Sequence, residues 1–342
     1  MRLTILTSSY ILYENWMMAI YGPVPLKTSA TRRGAVYGRI GRQVLQSTDT
    51  IAGLLERIVP SDAGRRVLAG LIGRGIQASR TPRMHELEGA RLGFPFTYVL
   101  VDFDQLAIPD IALPEVIAAA QVKGFAGLNV THPYKQVVIP LLDALSPEAE
   151  AIGAVNTIVF ADGRMTGHNT DSWGFAESFR DTMGNVSLES VVQFGAGGAG
   201  AAVAYALMDI GVRNLAMVDL DAGRSRALAD GLLSRYAGRV RSETDMEYAL
   251  AATDGIVNTT PVGMRKYPGM PFAPSLLSSR HWVADIIYFP EETELLRRSR
   301  ALGCRTLPGT GMAIYQAVRA FELFTGRAPD SRAMAEHFGA AA

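Results

Sequence analysis

A glycine-rich turn between two apolar runs constrains the fold of this chain more than any other feature. The stretch VVQFGAGGAGAAVAYALMDIGVRNLAMVDLD, residues 191–221, holds Gly195, Gly197 and Gly200 in the spacing G-x-G-x-x-G. A run that suits a strand precedes the glycines, an alanine-rich run that suits a helix follows them, and a second apolar run ends in two aspartates. This order is typical of the first strand, turn and helix of a dinucleotide-binding domain.

Each glycine of this turn has a separate physical role in such a domain. The first permits the tight turn, the second lets the backbone approach a pyrophosphate, and the third allows the helix to pack closely on the strand. The unpaired N–H groups at the helix N-terminus favour an anion there. The residues predicted to contact a cofactor through this turn are Gly195, Ala196, Gly197, Gly198, Ala199 and Gly200. The alternative is a glycine-rich turn that serves packing alone.

Two aspartates at the end of the second apolar run bear on the choice of nucleotide. The carboxylate of Asp219 or Asp221 would accept hydrogen bonds from ribose hydroxyls and would repel a 2′-phosphate, at a cost of about 4 kcal/mol per close charge pair near a protein surface. Arg224 and Arg226 argue the other way, because an arginine can bind a phosphate. The balance favours NAD, with NADP as the alternative. Both aspartates could instead serve the turn and cap the next helix.

The composition excludes several classes of function. The formal net charge is +0, which gives no general attraction to nucleic acid or to an anionic membrane. No apolar run reaches the roughly 18 residues of a membrane span, and the histidines form no metal-binding motif, so neither a membrane partner nor a metal is expected. The single cysteine, Cys304, cannot form an intrachain disulfide and fits a reducing, cytoplasmic location.

Strands that alternate with helices predict an α/β fold of two lobes with parallel sheets. Residues 1–66 show little periodicity, apart from a possible short helix in TDTIAGLLERIV, and are predicted to be an N-terminal extension that is dispensable for activity. Residues 67–171 form the predicted first lobe, which a C-terminal helix within 311–342 returns to complete. Residues 172–310 form a predicted Rossmann lobe, a doubly wound sheet with helices on both faces.

Periodicity and breaker residues predict individual elements of the first lobe. Strands are predicted at 65–73 and 96–103, and helices after Pro82 and over 114–124. The stretch AVNTIVFADGRMTGHNTD predicts a hairpin that turns at Asp162-Gly163.

Polar motifs fall where loops follow the predicted strands, and such loops carry ligand sites in α/β folds. They are IQASRTPRMHE (76–86), GLNVTHPYK (127–135), GAVNT (153–157) and GHNTD (167–171). Together with the glycine turn, these motifs resemble the shikimate/quinate dehydrogenase family over roughly 67–330. The resemblance implies a substrate-binding catalytic lobe, a Rossmann lobe, and reversible hydride transfer between a cyclohexane polyol carboxylate and a nicotinamide cofactor.

The resemblance also implies a role for individual residues. It makes Lys135 and Asp171 the catalytic pair and gives the carboxylate of the substrate to Ser79 and Thr81, although these two hydroxyls could also cap the helix at Pro82. Further substrate residues, which meet ring hydroxyls, order the pocket or approach from the far side, are Asn129, Thr131, Asn156, Tyr288 and Gln316. Cofactor residues beyond the glycine turn are Asp219, Asp221, Arg224, Thr260 and Gly309.

The chemistry of the reaction suits the implied pair. A proton must leave the oxygen of a secondary alcohol as the hydride leaves its carbon, and with no metal expected a side chain must accept that proton. Burial favours the neutral amine of Lys135, whereas a neighbouring Asp171 favours the charged one, and the sequence leaves the balance open.

Two departures from the family pattern narrow the subgroup. Thr81 stands where many shikimate enzymes have serine, and VDLD stands where NADP-using members have Asn-Arg-Ser/Thr, so that Leu220 replaces an arginine. Both departures resemble the quinate/shikimate subgroup that prefers NAD.

Three functions remain open from the sequence. The first is an NAD-linked shikimate/quinate dehydrogenase, and the second is a strict NADP-dependent shikimate dehydrogenase of aromatic amino acid biosynthesis. The third is a non-catalytic quinate-pathway ligand sensor on the same fold, against which Lys135 and Asp171 argue. A monomer or homodimer that binds a small molecule, with no nucleic-acid partner, is expected.

Overall fold

A computed structural model describes residues 50–60, 66–233 and 235–339. The chain divides into two units, each with a six-stranded sheet. The first unit comprises the residues before Thr170 together with those from Ala320 onward, and the second unit is Thr170–Arg319. These divisions lie close to the boundaries predicted from the sequence, which fall after residue 171 and before residue 311.

The sheet of the first unit is mixed. Its strands are β1 (Val67–Gly73), β2 (Phe96–Asp102), β3 (Gly127–Val130), β4 (Ala144–Leu145), β5 (Thr157–Ala161) and β6 (Arg164–His168), in the order β2-β1-β3-β5-β6-β4. Strand β1 pairs in parallel with β2 and β3, whereas β5 runs antiparallel to β3 and β6. The β5–β6 hairpin turns at Asp162 and Gly163, whose φ angles of 51° and 73° suit a type I′ turn, so the predicted hairpin is confirmed.

Four helices of the first unit precede its last strands. They are α1 (Ile51–Ile58), α2 (Thr81–Arg91), α3 (Leu113–Val122) and α4 (Pro147–Ile152). The helices predicted after Pro82 and over 114–124 are confirmed by α2 and α3, and the short helix predicted in TDTIAGLLERIV is confirmed by α1. Helix α4 was not predicted.

Helix α1 belongs to the core of the first unit. Thr50 caps it by accepting a hydrogen bond from the Gly53 N–H at 3.2 Å, and its apolar face is buried with the side chains of α3. The buried side chains are Ile51, Leu54, Leu55 and, just after the helix, Val59. Residues 51–59 of the predicted extension therefore pack in this core, because an amphipathic helix must bury its apolar face, whereas the dispensability of the first 64 residues for activity stays a prediction. Residues 1–49 of that extension lie outside the described residues.

The sheet of the second unit is wholly parallel. Its strands are β7 (Ser190–Phe194), β8 (Asn214–Val218), β9 (Val240–Ser242), β10 (Gly255–Asn258), β11 (Trp282–Asp285) and β12 (Thr306–Pro308). Their order is β12-β11-β10-β7-β8-β9, which reverses direction between β7 and β10. Doubly wound sheets bind ligands where the strand order reverses, and the glycine turn follows β7 at that point.

The helices of the second unit are α5 (Thr170–Met183), α6 (Gly198–Asp209), α7 (Ala222–Leu233), α8 (Met246–Ala251), α9 (Glu294–Ala301) and most of α10 (Gly309–Thr325). From Ala320 onward α10 belongs to the first unit, as the C-terminal return predicted from the sequence requires. Helix α11 (Ser331–Gly339) then packs on α2. Among the described residues, no helix has the length and apolar character needed to cross a membrane.

Candidate active site

The loop after β1 carries two of the predicted substrate residues. Helix α2 begins at Thr81, and the Oγ of Ser79 accepts a hydrogen bond from the Thr81 N–H at 3.3 Å. Ser79 thus helps to start the helix, as the capping alternative proposed. The hydroxyl of Thr81 is half-buried and makes no hydrogen bond to another residue that the structure describes. It is therefore available to a ligand.

Asp102 holds this loop in place, and the sequence analysis missed it. The carboxylate, 2% exposed at the end of β2, accepts hydrogen bonds from the N–H groups of Gly75 and Ile76 and from the side chain of Gln77, at 2.9–3.1 Å. Burial by itself raises the pKa of Asp102, but these hydrogen bonds lower it overall, so the group stays charged. The signal in the sequence was an aspartate that closes a buried apolar strand.

The turn that carries Lys135 is anchored by its neighbour Tyr134. The buried Tyr134 hydroxyl donates to Oδ1 of Asp110 at 2.5 Å, and Arg74 donates to the same oxygen at 2.6 Å. Burial and the bond to Asp110 raise the pKa of Tyr134, so the phenol remains a donor. The carbonyl of Lys135 accepts from the Val155 N–H at 2.7 Å. Lys135, half-buried itself, therefore projects from a backbone held on both sides.

A buried network brings together two of the predicted asparagines. Asn129 accepts from the Tyr98 hydroxyl at 2.7 Å and donates to the Thr157 hydroxyl at 2.9 Å and to the Asn156 carbonyl at 3.3 Å. Thr157 in turn donates to the Asn156 side chain at 3.1 Å. Both amide atoms of Asn129 are thus engaged within the protein, which favours the expectation that Asn129 orders the pocket. Thr131 follows at the end of β3, where its N–H donates to the Ile72 carbonyl.

The remaining predicted substrate and catalytic residues lie in the second unit. Asp171 is in the first turn of α5 and is 6% exposed. Tyr288 follows β11 and is 43% exposed, and Gln316 lies in α10, where its amide donates to the Ala313 carbonyl at 3.1 Å. Because Lys135 belongs to the first unit and Asp171 to the second, their catalytic pairing stays a prediction.

The backbone of the glycine turn requires glycine at two of its three motif positions and leaves open space at the other. Gly195 has a φ of 99°, which only glycine adopts without strain. A Cβ at Gly197 would meet nothing within 4 Å, so the backbone is open to a ligand there. A Cβ at Gly200 would lie 2.5 Å from the Gly195 carbonyl oxygen, so the first turn of α6 packs closely only because that residue is glycine. The three glycines therefore suit the three roles predicted for them.

The two aspartates after β8 accept hydrogen bonds from backbone N–H groups. Asp219 accepts from the N–H groups of Ala196 at 2.7 Å and of Asp221 at 2.9 Å. Asp221 accepts from the Gly223 N–H at 2.9 Å in the first turn of α7, so the capping alternative describes part of its role. Arg224 lies 3.6 Å from the Asp221 carboxylate, and Leu220 between the aspartates is fully exposed.

The other predicted cofactor residues lie at the ends of β10 and β12. Thr260 donates through its N–H and its hydroxyl to the side-chain oxygen of Asn258, at 3.1 and 2.7 Å. Gly309 begins α10, and a Cβ there would lie 2.2 Å from the Ile286 carbonyl oxygen. Gly309 is therefore required by close packing, whatever it contacts in a complex.

Asp285, at the end of β11, carries a buried carboxylate that lies next to Asn258. It accepts from the Asn258 amide at 3.1 Å, the Ile287 N–H at 3.1 Å and the Thr293 hydroxyl at 2.8 Å. Burial raises the pKa of Asp285, and the three hydrogen bonds lower it by a smaller amount. The net result is a pKa of about 6. At neutral pH the second unit therefore holds a buried negative charge that opposes folding.

The pH dependence of stability should reveal this charge. Because the folded chain binds the Asp285 proton more tightly than the unfolded chain does, the contribution of Asp285 to the free energy of unfolding should fall as the pH rises, by about 2 kcal/mol between pH 4 and pH 6 and by about 3 kcal/mol in total from about pH 3 to about pH 7. Asp285→Asn should remove that fall, as urea unfolding at each pH would measure. The exposed Asp230→Asn serves as the control and should leave the profile unchanged. Parallel profiles for wild type and Asp285→Asn would contradict the assignment.

Comparisons with known proteins identify the family to which this fold belongs. Residues 71–158 match the family described as the shikimate dehydrogenase substrate binding domain, and residues 309–337 match the shikimate 5′-dehydrogenase C-terminal domain. A shikimate dehydrogenase (NADP(+)) of Streptomyces avermitilis is 52% identical over 271 residues, which are 78% of this chain and 93% of that one. The chain belongs to the shikimate dehydrogenase family.

Family members named for either cofactor are similar to the chain. A quinate/shikimate dehydrogenase (NAD(+)) of Corynebacterium efficiens is 49% identical over 276 residues, covering 80% of this chain and 97% of that one. The solved quinate dehydrogenase from Corynebacterium glutamicum in complex with NAD superposes with a TM-score of 0.77 at 49% identity, over 80% of this chain and 99% of that one. The predicted fold class, with a substrate-binding lobe and a Rossmann lobe, is confirmed.

Proposed function

We propose that the chain is an NAD-linked dehydrogenase that reversibly oxidises the 3-hydroxyl of quinate or shikimate. Family membership supports the reaction class. The observation that carries the choice of cofactor is Leu220, fully exposed between two carboxylates at a position where the resemblance to the family implies an arginine in NADP-using members. The proposal includes a cytoplasmic location and a monomer or homodimer.

The proposed mechanism assigns proton transfer to the first unit. Lys135 takes the proton of the substrate hydroxyl, and the anchored turn around Tyr134 fixes the backbone from which its side chain projects. Asp171 orients the amine and the hydroxyl. Ser79 and Thr81 bind the carboxylate of the substrate through their hydroxyls, and Asp102 holds the loop that presents them. When bound, NAD supplies the acceptor for the hydride.

The second unit supplies the site for NAD. The open face at Gly197 and the N-terminus of α6 suit a pyrophosphate, and Asp219 and Asp221 suit a ribose with free hydroxyls. A 2′-phosphate beside these carboxylates would be repelled and would find Arg224 already within 3.6 Å of Asp221.

The cofactor assignment predicts a measurable preference. We expect NAD to exceed NADP by at least about tenfold in kcat/KM, since one misplaced carboxylate is worth about 1.4 kcal/mol or more. Leu220→Arg combined with Asp221→Ser should shift the preference toward NADP by about tenfold or more, because it adds a guanidinium and removes a charge while serine can still cap α7. Initial rates with both cofactors provide the measurement.

The matched control for this pair of substitutions is Leu220→Gln, which places a neutral polar chain at the same exposed position and should leave the preference unchanged. A wild-type preference for NADP would show that Arg224 or Arg226 binds the phosphate and that the aspartates do not exclude it.

The substrate assignment predicts that both compounds are oxidised with NAD. Quinate carries an extra hydroxyl on the carboxylate carbon, and the Thr81 hydroxyl, which has no partner among the residues described, can bind it. The β-branched side chain restricts rotation of that hydroxyl, so Thr81→Ser should lower kcat/KM for quinate more than for shikimate. Initial rates over a range of concentrations of each compound, for the wild type and for Thr81→Ser, give the kcat/KM values that test this expectation.

One matrix of initial rates, quinate and shikimate against NAD and NADP, separates the candidate functions. Turnover of shikimate alone with NADP alone would favour the strict shikimate dehydrogenase, a function that the similarity to the shikimate dehydrogenase (NADP(+)) of Streptomyces avermitilis supports. Binding of either compound without turnover under any cofactor would favour the ligand sensor.

A further inference from the structure

We propose that Gln193 and Thr259 are positioning residues for cofactor binding. Together they lock the first peptide of the glycine turn, so that the N–H groups after it already face the pyrophosphate. The inference rests on the proposed dinucleotide function of this turn. Neither residue belongs to the G-x-G-x-x-G motif.

Gln193 holds two carbonyls of the turn from within β7. Its side chain is 0% exposed, and Nε2 donates to the carbonyl oxygens of Gly195 and Gly200, each at 2.9 Å. An amide nitrogen carries two hydrogens, one for each carbonyl, whereas the reversed amide would set its own oxygen against both. The two contacts therefore decide the orientation of the amide.

The amide oxygen of Gln193 supports the view that the two contacts from Nε2 are the role of this residue. Oε1 is buried and has no hydrogen-bond partner in the part of the chain that the structure describes. A buried polar atom without a partner disfavours folding, and an apolar side chain would fill this central strand position without that penalty. The bonds from Nε2 to the turn supply the reason for keeping a glutamine.

Thr259, which follows β10, bonds the same peptide. Its hydroxyl lies 2.9 Å from the Gly195 carbonyl oxygen and 2.8 Å from that of Phe194. The N–H of that peptide belongs to Ala196 and donates to Asp219 at 2.7 Å. The C=O and N–H of a trans peptide point in opposite directions, so side chains hold the Gly195–Ala196 peptide at both of its polar atoms.

This arrangement prepares the turn for an anion. The N–H groups at the start of α6 have no acceptor within the helix, and the locked peptide before them sets their direction. A loop that is ordered before binding loses less conformational entropy when the ligand arrives. Loss of either side-chain donor should therefore weaken pyrophosphate binding more than it disturbs the chemical step.

The test is calorimetric titration of ADP-ribose and of NAD into folded variants. Gln193→Leu and Thr259→Val each remove the donors at nearly constant volume and should raise the Kd of both ligands by about tenfold. The KM for NAD should rise with them, while kcat at saturating NAD stays near the wild-type value. Thr259→Ser keeps the hydroxyl and should bind nearly as the wild type does.

Thr253→Val is the matched control in the same unit. The Thr253 hydroxyl also donates to two backbone carbonyls, those of Ser190 and Gly255 at 3.0 Å, but neither lies in the turn. Its loss should lower the melting temperature and leave the Kd of ADP-ribose unchanged, which separates positioning from general stability.

Unchanged Kd values in folded Gln193→Leu and Thr259→Val, or an equal loss in Thr253→Val, would overturn the inference while leaving the proposed function intact. A wild-type chain that binds neither ADP-ribose nor NAD would overturn the proposed function and this inference with it.

Discussion

Lys135→Ala is expected to lower kcat at least a hundredfold while the substrate still binds. A side chain that transfers a proton in the transition state contributes about 10²–10⁴-fold to the rate. Among the proposed substrate and catalytic residues of the first unit, Lys135 is the one that carries a basic amine. The measurement is kcat for quinate at saturating NAD, together with the quinate Kd from titration. Asp171→Asn should also lower kcat and should in addition weaken substrate binding.

Two further experiments test whether the loss of kcat is specific to the amine of Lys135. Lys123→Ala removes an exposed lysine of the same unit, whose ion pair with Glu56 spans 3.5 Å, and should leave kcat unchanged. Adding methylamine to Lys135→Ala should restore part of the rate, because a free amine can enter the space and accept the proton. A kcat for Lys135→Ala close to the wild-type value would remove Lys135 from the mechanism.

A chain that begins at Ala63 is expected to be much less stable than the full chain, since it lacks helix α1. Each buried aliphatic side chain contributes about 1.5–3 kcal/mol, so the four on and beside α1 should together contribute at least about 6 kcal/mol. For a protein of this size that loss should lower the melting temperature by about 10 °C. Circular dichroism during heating measures the difference.

The controls retain helix α1. One shortens the chain before the helix, and the others replace a single side chain on it. A chain that begins at Ser47 retains α1 and should melt with the full chain. Within the full chain, Leu55→Ala should cost about 2–5 kcal/mol, whereas Glu56→Ala on the exposed face of the same helix should cost less than about 1 kcal/mol. Equal melting temperatures for the chains that begin at Ala63 and Ser47 would show that α1 adds nothing to the first unit.

Local patterns explain which parts of the fold the sequence predicts. The β5–β6 hairpin follows from Asp162-Gly163, whose residue types suit positive φ, and the glycine turn follows from its spacing together with the apolar runs on either side of it. Helices α2 and α3 follow from periodicity and from proline in their first turns. In each case the deciding interaction is between residues that are close in the chain.

Contacts between distant segments explain what the sequence analysis missed. Asp102 bonds a loop about 26 residues earlier in the chain, and Thr259 bonds Gly195, 64 residues away. Helix α1 could be predicted as a helix, but its place against α3 could not, because an amphipathic pattern does not name the surface that it covers. Gln193 looks like an ordinary strand residue until the course of the glycine turn is known.

The exposure of Leu220 bears on how cofactor preference changes within such a family. A side chain that packs against nothing can be exchanged with almost no effect on folding, so selection can act on it without first securing extra stability. A single base change can also turn a leucine codon into an arginine codon. Relatives about equally similar to this chain carry the names of different cofactors, at 52% and 49% identity. Divergence in nucleotide preference can thus begin at one position on the surface, without any change in the anchored loops of the first unit.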